Sequence, residues 1–238
     1  MRVVVLTGAG ISAESGVPTF RDADGLWEGY RVEEVATPEA YDAQPHVVHR
    51  FYDLRRADLE RVRPNPAHEA LVRLEEALGD DFLLVTQNVD DLHERAGSRR
   101  VLHMHGQLLS ALCTDCGGRS PWAGPLGHRP PCPQCAESAL RPDIVWFGEV
   151  PHGLEEISSA LHRADVFVSI GTSGAVYPAA GFVLIAHRYG ARTVELNLEP
   201  SAGSDYFDDT FYGPAGQLVP EWVDAVLAHV RPRVSDLA

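Results

Sequence analysis

The 238-residue chain contains no lysine: all 20 of its basic residues are arginine. Codon usage in a GC-rich genome is the simplest reading of that bias. Positive charge is scarce in any form, with 34 acidic residues set against those 20 and a net charge of -14. Broad, non-specific binding to nucleic acid depends on basic surface that displaces counterions, so the balance argues against that class. The balance suits partners that carry positive charge near the site of action. No apolar run approaches the roughly 18 residues that a membrane span needs. The opening Met-Arg passes at once into a short apolar strand and then glycines, not a small-residue cleavage site. That argues against a secretory leader and for a soluble, cytoplasmic protein. Internal repeats and low-complexity linkers are also missing.

What remains is ordinary globular material, 45% hydrophobic and 23% charged, long enough to bury a substantial core. Arg2 to Thr7 is a β-branched apolar run that ends in glycines and reads as a buried strand feeding a helix. Comparable runs recur at DFLLVT (residues 81–86), DVFVSI (165–170) and RTVELNL (192–198). Helical stretches lie at 155–163 and at 179–189, the second closed by Gly190. Strands and helices alternating in this way predict an α/β fold, a doubly wound parallel sheet covered by helices on both faces. Two segments break the alternation. Residues 29–79 look mainly helical, with Asn65 and Pro66 placed as a cap and first helical residue. Residues 113–139 are rich in Gly, Pro and Cys. Both are expected to be insertions that build a smaller helical and metal-binding lobe, leaving 1–28, 80–112 and 140–238 as the main domain.

The only four cysteines form two C-x2-C pairs, Cys113/Cys116 and Cys132/Cys135, fifteen residues apart. A disulfide framework does not suit a cytosolic chain, and a redox dithiol needs only one pair. Two tight turns at this separation suit tetrahedral thiolate coordination of one zinc ion. Four cysteine ligands leave no position for water, so the expected role is structural.

Gly8-Ala9-Gly10 and then Ala13 have the spacing G-x-G-x-x-A after a strand and before a helix, where a backbone can approach a pyrophosphate. Alone, this equally describes a tight strand-to-helix turn. A dehydrogenase with such a loop usually shows an acidic residue about 20 residues on, ending the second strand; here that stretch is the 19–27 loop. Its neighbours say more. GAGISAESGVPTFRDADGLW (residues 8–27) resembles the NAD-binding signature of the sirtuins, the NAD-dependent protein deacylases. Gln87-Asn88-Val89-Asp90, His103-Met104-His105-Gly106, the cysteine quartet, the segment 145–149 (VWFGE), Gly171-Thr172-Ser173 and Asn197-Leu198-Glu199 follow in the family's order. The matches run from Val3 to Ala215.

The resemblance implies a Rossmann-like domain and a particular chemistry. The acyl-lysine oxygen attacks C1′ of the nicotinamide ribose, a base activates a ribose hydroxyl, and the products are nicotinamide, 2′-O-acyl-ADP-ribose and free lysine. His105 is the expected base, since an imidazole titrating near neutrality is suited to that proton. Strand alternation would send His103 to the same face, and only the family pattern chooses the residue before Gly106. The resemblance assigns the nicotinamide carboxamide to Asp90, the ribose and a water to Asn88, and neighbouring contacts to Gln87 and Val89. Phe20 would shield the reacting carbon, and Arg21 and Trp27 on the same loop are further expected NAD contacts. Gly171, Thr172 and Ser173 would face the adenosine half, with Asn197, Leu198, Glu199 and Ala215 near the adenine ribose. Val145, Phe147, Gly148 and Glu149 would bind acylated peptide as an added strand.

Tyr52 and Arg55 lie three apart in a helical stretch and so share a face. A guanidinium fork with a tyrosine hydroxyl suits an acyl chain that ends in a carboxylate. The pair resembles the mark of the class III sirtuins, in which a small residue, here Ala36, widens the acyl pocket. Removal of succinyl and malonyl groups is therefore expected, with acetyl groups also admitted. An ADP-ribosyltransferase would share every NAD contact, and a non-catalytic NAD-sensing module would need no base.

Overall fold

The computed structural model describes residues 1–19 and 29–229. Along these residues the strands are β1 (Val3–Thr7), β2 (Phe82–Thr86), β3 (Val101–His103), β4 (Gly106–Cys113), β5 (Arg119–Pro121), β6 (Leu140–Ile144), β7 (Val166–Ile170), β8 (Arg192–Asn197) and β9 (Asp209–Tyr212). The α-helices are α1 (Gly10–Ala13), α2 (Val32–Val35), α3 (Pro38–Ala43), α4 (Pro45–Asp58), α5 (Pro66–Leu78), α6 (Leu92–Ala96), α7 (Leu154–Leu161), α8 (Phe182–Arg188) and α9 (Ala215–His229).

Six strands form one sheet in the order β3-β2-β1-β7-β8-β9, with every neighbouring pair parallel. Strand β1 is apolar on both sides because both sides are covered, as parallel sheets require. Alternate residues serve opposite faces. Val3 and Val5 pack with Leu84, Val168 and Val194 under α5 and α9, while Val4 and Leu6 pack with Val85 and Phe167 under α7 and α8. The chain runs from β1 to β2 on one side and reaches β7 on the other, so the strand order reverses at β1. Open α/β sheets bind ligands at the carboxyl ends of the strands at that reversal. No described helix is long and apolar enough to cross a membrane.

A second, antiparallel sheet has the order β5-β4-β6. It shares a core with the first insertion: Val48, Phe51 and Tyr52 of α4 pack against Leu108, Ile144 and Trp146. The two insertions thus build one small lobe. Its limits differ from the sequence expectation in two places. Helix α5 starts as expected, with Asn65 Oδ1 accepting from the Ala67 amide at 2.9 Å and Pro66 at the first helical position. Its apolar stripe of Ala67, Ala70, Leu71, Leu74 and Leu78, however, covers the large sheet beside α9, so the helical insertion stops short of it. Strands β4 and β6 pair with each other and not with the large sheet, so the second insertion spans Gly106–Ile144. Composition marked only its cysteine-rich tip. Neither lobe is one continuous segment.

Candidate active site

The floor of the site is the pair of loops that leave β1 and β7. The Gly8 amide donates to the Ile170 carbonyl at 3.0 Å, and the Gly10 amide donates to the Gly171 carbonyl at 2.9 Å. Those two donors are committed to the neighbouring loop. What glycine supplies is close approach. A Cβ on Gly8 would lie 2.7 Å from the Gly171 oxygen, and one on Gly10 would lie 2.7 Å from the Gly171 Cα. Gly171 answers with a positive φ of 62°, conformational room that favours glycine. Asn197 ties in the next strand, its Nδ2 donating to the Thr172 carbonyl at 2.8 Å.

Above this floor lies a cleft of about 1000 Å³ between the lobes. Every described residue singled out from the sequence for cofactor or substrate lines it. Gly8, Ala9, Gly10, Ala13, Gly171, Thr172, Ser173, Asn197, Leu198, Glu199 and Ala215 form one end. Gln87, Asn88, Val89, Asp90 and His105 occupy the middle, and Ala36, Tyr52, Arg55, Val145, Phe147, Gly148 and Glu149 the other end. Phe20, Arg21 and Trp27 lie outside the described residues.

In the middle, Ser12 is the joint that sequence reading did not single out. Its fully buried hydroxyl donates to Asp90 Oδ2 at 3.1 Å and accepts from Asn88 Nδ2 at 3.1 Å. Burial raises the Asp90 pKa, opposed by hydrogen bonds from the Leu92 amide and Ser12. Beneath them, His68 and His93 sit edge to face, 4.9 Å apart. Burial pushes the His68 pKa down to about 4 and that of His93 well below its ordinary value.

The two histidines of the HMH run part company, contrary to the expectation from strand alternation. Strand β3 ends at His103 and the chain turns at Met104–His105, so period-two geometry stops there. His103 points away from the cleft, with Nδ1 3.1 Å from the Asn88 carbonyl and Nε2 2.6 Å from Glu94 Oε1. Desolvation opposes its charge, but the Glu94 carboxylate and the Asn88 carbonyl prevail and raise its pKa. His103 is therefore a buried strut. His105 faces the cleft. Burial lowers its pKa, with a hydrogen bond to the Gln87 backbone opposing and His152 adding to the fall. The lowered pKa favours the neutral imidazole, the form a base requires.

At the far end, Tyr52 and Arg55 of α4 both line the cleft. Arg55 Nη1 donates to the Phe51 carbonyl at 2.9 Å, and its guanidinium carbon lies 3.3 Å over the Phe51 ring. The neighbouring arginines are elsewhere. Arg50 is exposed, and Arg56 is held by Asp53 at 2.7 Å and the Leu108 carbonyl at 2.7 Å. The segment after β6 is only partly the extended strand expected. The Val145 amide donates to the His105 carbonyl at 2.9 Å and the Phe147 amide to the Ala36 carbonyl at 3.0 Å. The chain then turns at Phe147–Gly148, where Gly148 has φ +93°. Glu149 lines the cleft, but its carboxylate is engaged by Arg141 at 2.8 Å and by the Trp146 amide at 2.9 Å. It shapes this wall from within.

The four cysteines are unbridged by disulfides, and their sulfurs all lie within 4.8 Å of one another. Cys113 and Cys135 are 3.7 Å apart, Cys116 and Cys132 3.9 Å. A tetrahedron with zinc–sulfur bonds of about 2.3 Å has edges of about 3.8 Å. The residues present fit that ion, in a closed site that does not border the cleft.

A parallel sheet reversing at a glycine floor, a cleft with a histidine in its middle and a lobe with four clustered cysteines together describe the sirtuin architecture. The sequence pattern of the Sir2 family matches residues 8–178, and the chain belongs to that family. Among its relatives, an "NAD-dependent protein deacylase" of Shigella flexneri is 58% identical over 229 residues, covering 95% of this chain and 84% of that one. The protein of the same name from Escherichia coli strain K12 is 57% identical, covering 95% and 82%. Among solved structures, a Sir2 homologue in complex with NAD superposes with a TM-score of 0.87 at 42% identity, covering 97% of this chain and 91% of that one. A Sir2 protein bound to acetylated peptide gives 0.79 at 29% identity, covering 94% and 93%.

Proposed function

We propose that this protein is an NAD-dependent protein-lysine deacylase of class III, which removes succinyl and malonyl groups and also admits acetyl groups. One observation carries the reading: a single cleft runs from the Gly8–Gly10 floor, past His105, to Tyr52 and Arg55. Relatives named as NAD-dependent deacylases and a neighbour solved with NAD support it.

The residues divide the work along that cleft. The glycine floor, Gly171–Ser173, Asn197, Leu198, Glu199 and Ala215 bind the adenosine half of NAD. Asn88 and Asp90, held at a fixed spacing by Ser12, orient the nicotinamide ribose and carboxamide, beside Gln87 and Val89. His105 takes the proton of a ribose hydroxyl. Phe20 keeps the part the resemblance assigns it, sheltering the reacting carbon, and Arg21 and Trp27 are further NAD contacts. Val145, Phe147 and Gly148 receive the peptide backbone, while Arg55 and Tyr52 engage the acyl carboxylate in the space left by Ala36. One zinc ion on Cys113, Cys116, Cys132 and Cys135 holds the small lobe together. Thiols kept for a metal suit a cytoplasmic setting.

The test is turnover of NAD with matched acetyl-, succinyl- and malonyl-lysine peptides, following nicotinamide and 2′-O-acyl-ADP-ribose by mass spectrometry. A charge-assisted contact contributes about 1.5–3 kcal/mol, so Arg55→Met is expected to shift the succinyl-to-acetyl ratio of kcat/KM by about 10- to 150-fold. Equal losses on both peptides overturn the acyl assignment. ADP-ribose attached to protein in place of free 2′-O-acyl-ADP-ribose overturns the deacylase reading itself.

A further inference from the structure

Trp146 stands out at the acyl end of the cleft because three separate contacts fix it. Its amide is held by Glu149 Oε2 at 2.9 Å. Its ring has the Arg141 guanidinium 4.0 Å from the centroid on one side, and Arg141 is itself paired with Glu149 at 2.8 Å. The Tyr41 ring packs against it at 5.2 Å. The side chain is 2% exposed and packs in the small-lobe core with Phe51 and Tyr52.

The free end of this clamp is chemically specific. The Trp146 Nε1–H donates to the Tyr52 hydroxyl oxygen at 3.0 Å. An indole N–H is a donor only, whereas a phenol can donate or accept. Across this contact the Tyr52 oxygen must therefore accept, and its own hydrogen is turned away from Trp146. We propose that Trp146 is a positioning residue for acyl selectivity. Its indole N–H holds the Tyr52 hydroxyl in the orientation that donates toward the acyl terminus beside Arg55, which favours a terminal carboxylate over a terminal methyl group. This rests on the acidic-acyl reading above. Burial, the largest influence on the Tyr52 pKa, keeps the phenol protonated and thus able to donate.

The experiment is a double-mutant cycle on the full chain, read as the ratio of kcat/KM for succinyl-lysine to that for acetyl-lysine peptide. Trp146→Phe is expected to lower the ratio about tenfold, the cost of one well-placed hydrogen bond, mainly through KM for the succinyl peptide. In a Tyr52→Phe background, adding Trp146→Phe is expected to change the ratio less than about twofold, because nothing remains to orient. A fall of the same size with and without the Tyr52 hydroxyl overturns the proposal, as does an unchanged ratio in Trp146→Phe. Should the phenylalanine variant not fold, β-(3-benzothienyl)-alanine placed at position 146 keeps the shape and replaces the N–H by sulfur; the same fall is expected. Failure of the parent reading shows separately, in wild type without succinyl preference or in Arg55→Met without a shift.

Discussion

Replacing Gly10 with alanine sets two effects of opposite sign against each other. Gly10 is the first residue of α1, and helical backbone favours alanine over glycine by about 0.5–1 kcal/mol. The added methyl carbon, however, would sit 2.7 Å from Gly171 Cα, 2.8 Å from its oxygen and 3.0 Å from its carbonyl carbon. Carbon atoms settle about 3.5–4.0 Å apart, so the β7 loop must retreat by most of an ångström. Its backbone cannot swing aside as a side chain would, and overpacking of this kind costs about 1–3 kcal/mol. The contact wins over the propensity, leaving a net loss of roughly 1–2 kcal/mol and a melting temperature lower by roughly 2–8 °C. Gly171, Thr172 and Ser173 move with the loop, so KM for NAD is expected to rise severalfold in the same variant. Thermal unfolding and initial-rate kinetics read both effects. Gly181→Ala is the control, because a Cβ there meets nothing closer than 3.6 Å. If Gly10→Ala melts at or above wild type with an unchanged KM, close approach of the two loops is not what the glycine provides.

His105→Ala is expected to lower kcat/KM by about 10²–10⁴, the usual worth of a positioned base, while calorimetry shows NAD affinity within a few-fold of wild type. Because burial depresses the His105 pKa, the acid limb of kcat/KM should fall below pH 6.5; a limb above that value contradicts its role as the free base. Metal analysis should find one zinc per chain, and Cys132→Ser should lose the ion and melt at lower temperature; a full-length protein with no zinc and native stability refutes the structural site. His68 and His93 are neutral when folded and titrate near 6.5 when unfolded, so the unfolded state binds more protons below that pH. Stability is then complete above about pH 6.5 and falls toward pH 4 by up to about 1.4 kcal/mol per pH unit for each histidine. His103, raised by Glu94, acts in the opposite sense, so urea titrations of wild type and His68→Gln should differ in slope; identical pH profiles would refute the assignment.

Much of this was legible in the sequence because it is local. A β-branched run ending in glycines, two cysteine turns, and a tyrosine and arginine one helical turn apart are all short-range patterns. The features that were missed are set by tertiary contacts. Periodicity places His103 and His105 on one face only while the strand lasts, and β3 stops between them. The stripe of α5 marks an amphipathic helix but does not say which lobe it covers. Ser12 looked like a helix residue until Asn88 and Asp90, more than 75 positions away, closed on its hydroxyl. Glu149 was read as a substrate contact because nothing in the order of residues shows that Arg141 lies beside it.

The pairing of β1 with β7 also bears on how the protein is made. Val3 lies against Val166, so the central strand is complete only after about 160 further residues have been synthesised, roughly 8–30 s at usual ribosomal rates. Strand β2 can join β1 earlier, but the other edge of β1 stays open through most of translation, a stretch of exposed β template in a crowded cell. The floor formed by Gly8, Gly10 and Gly171 is therefore among the last parts to be assembled, and a nascent chain cannot hold a nucleotide until most of its length has emerged.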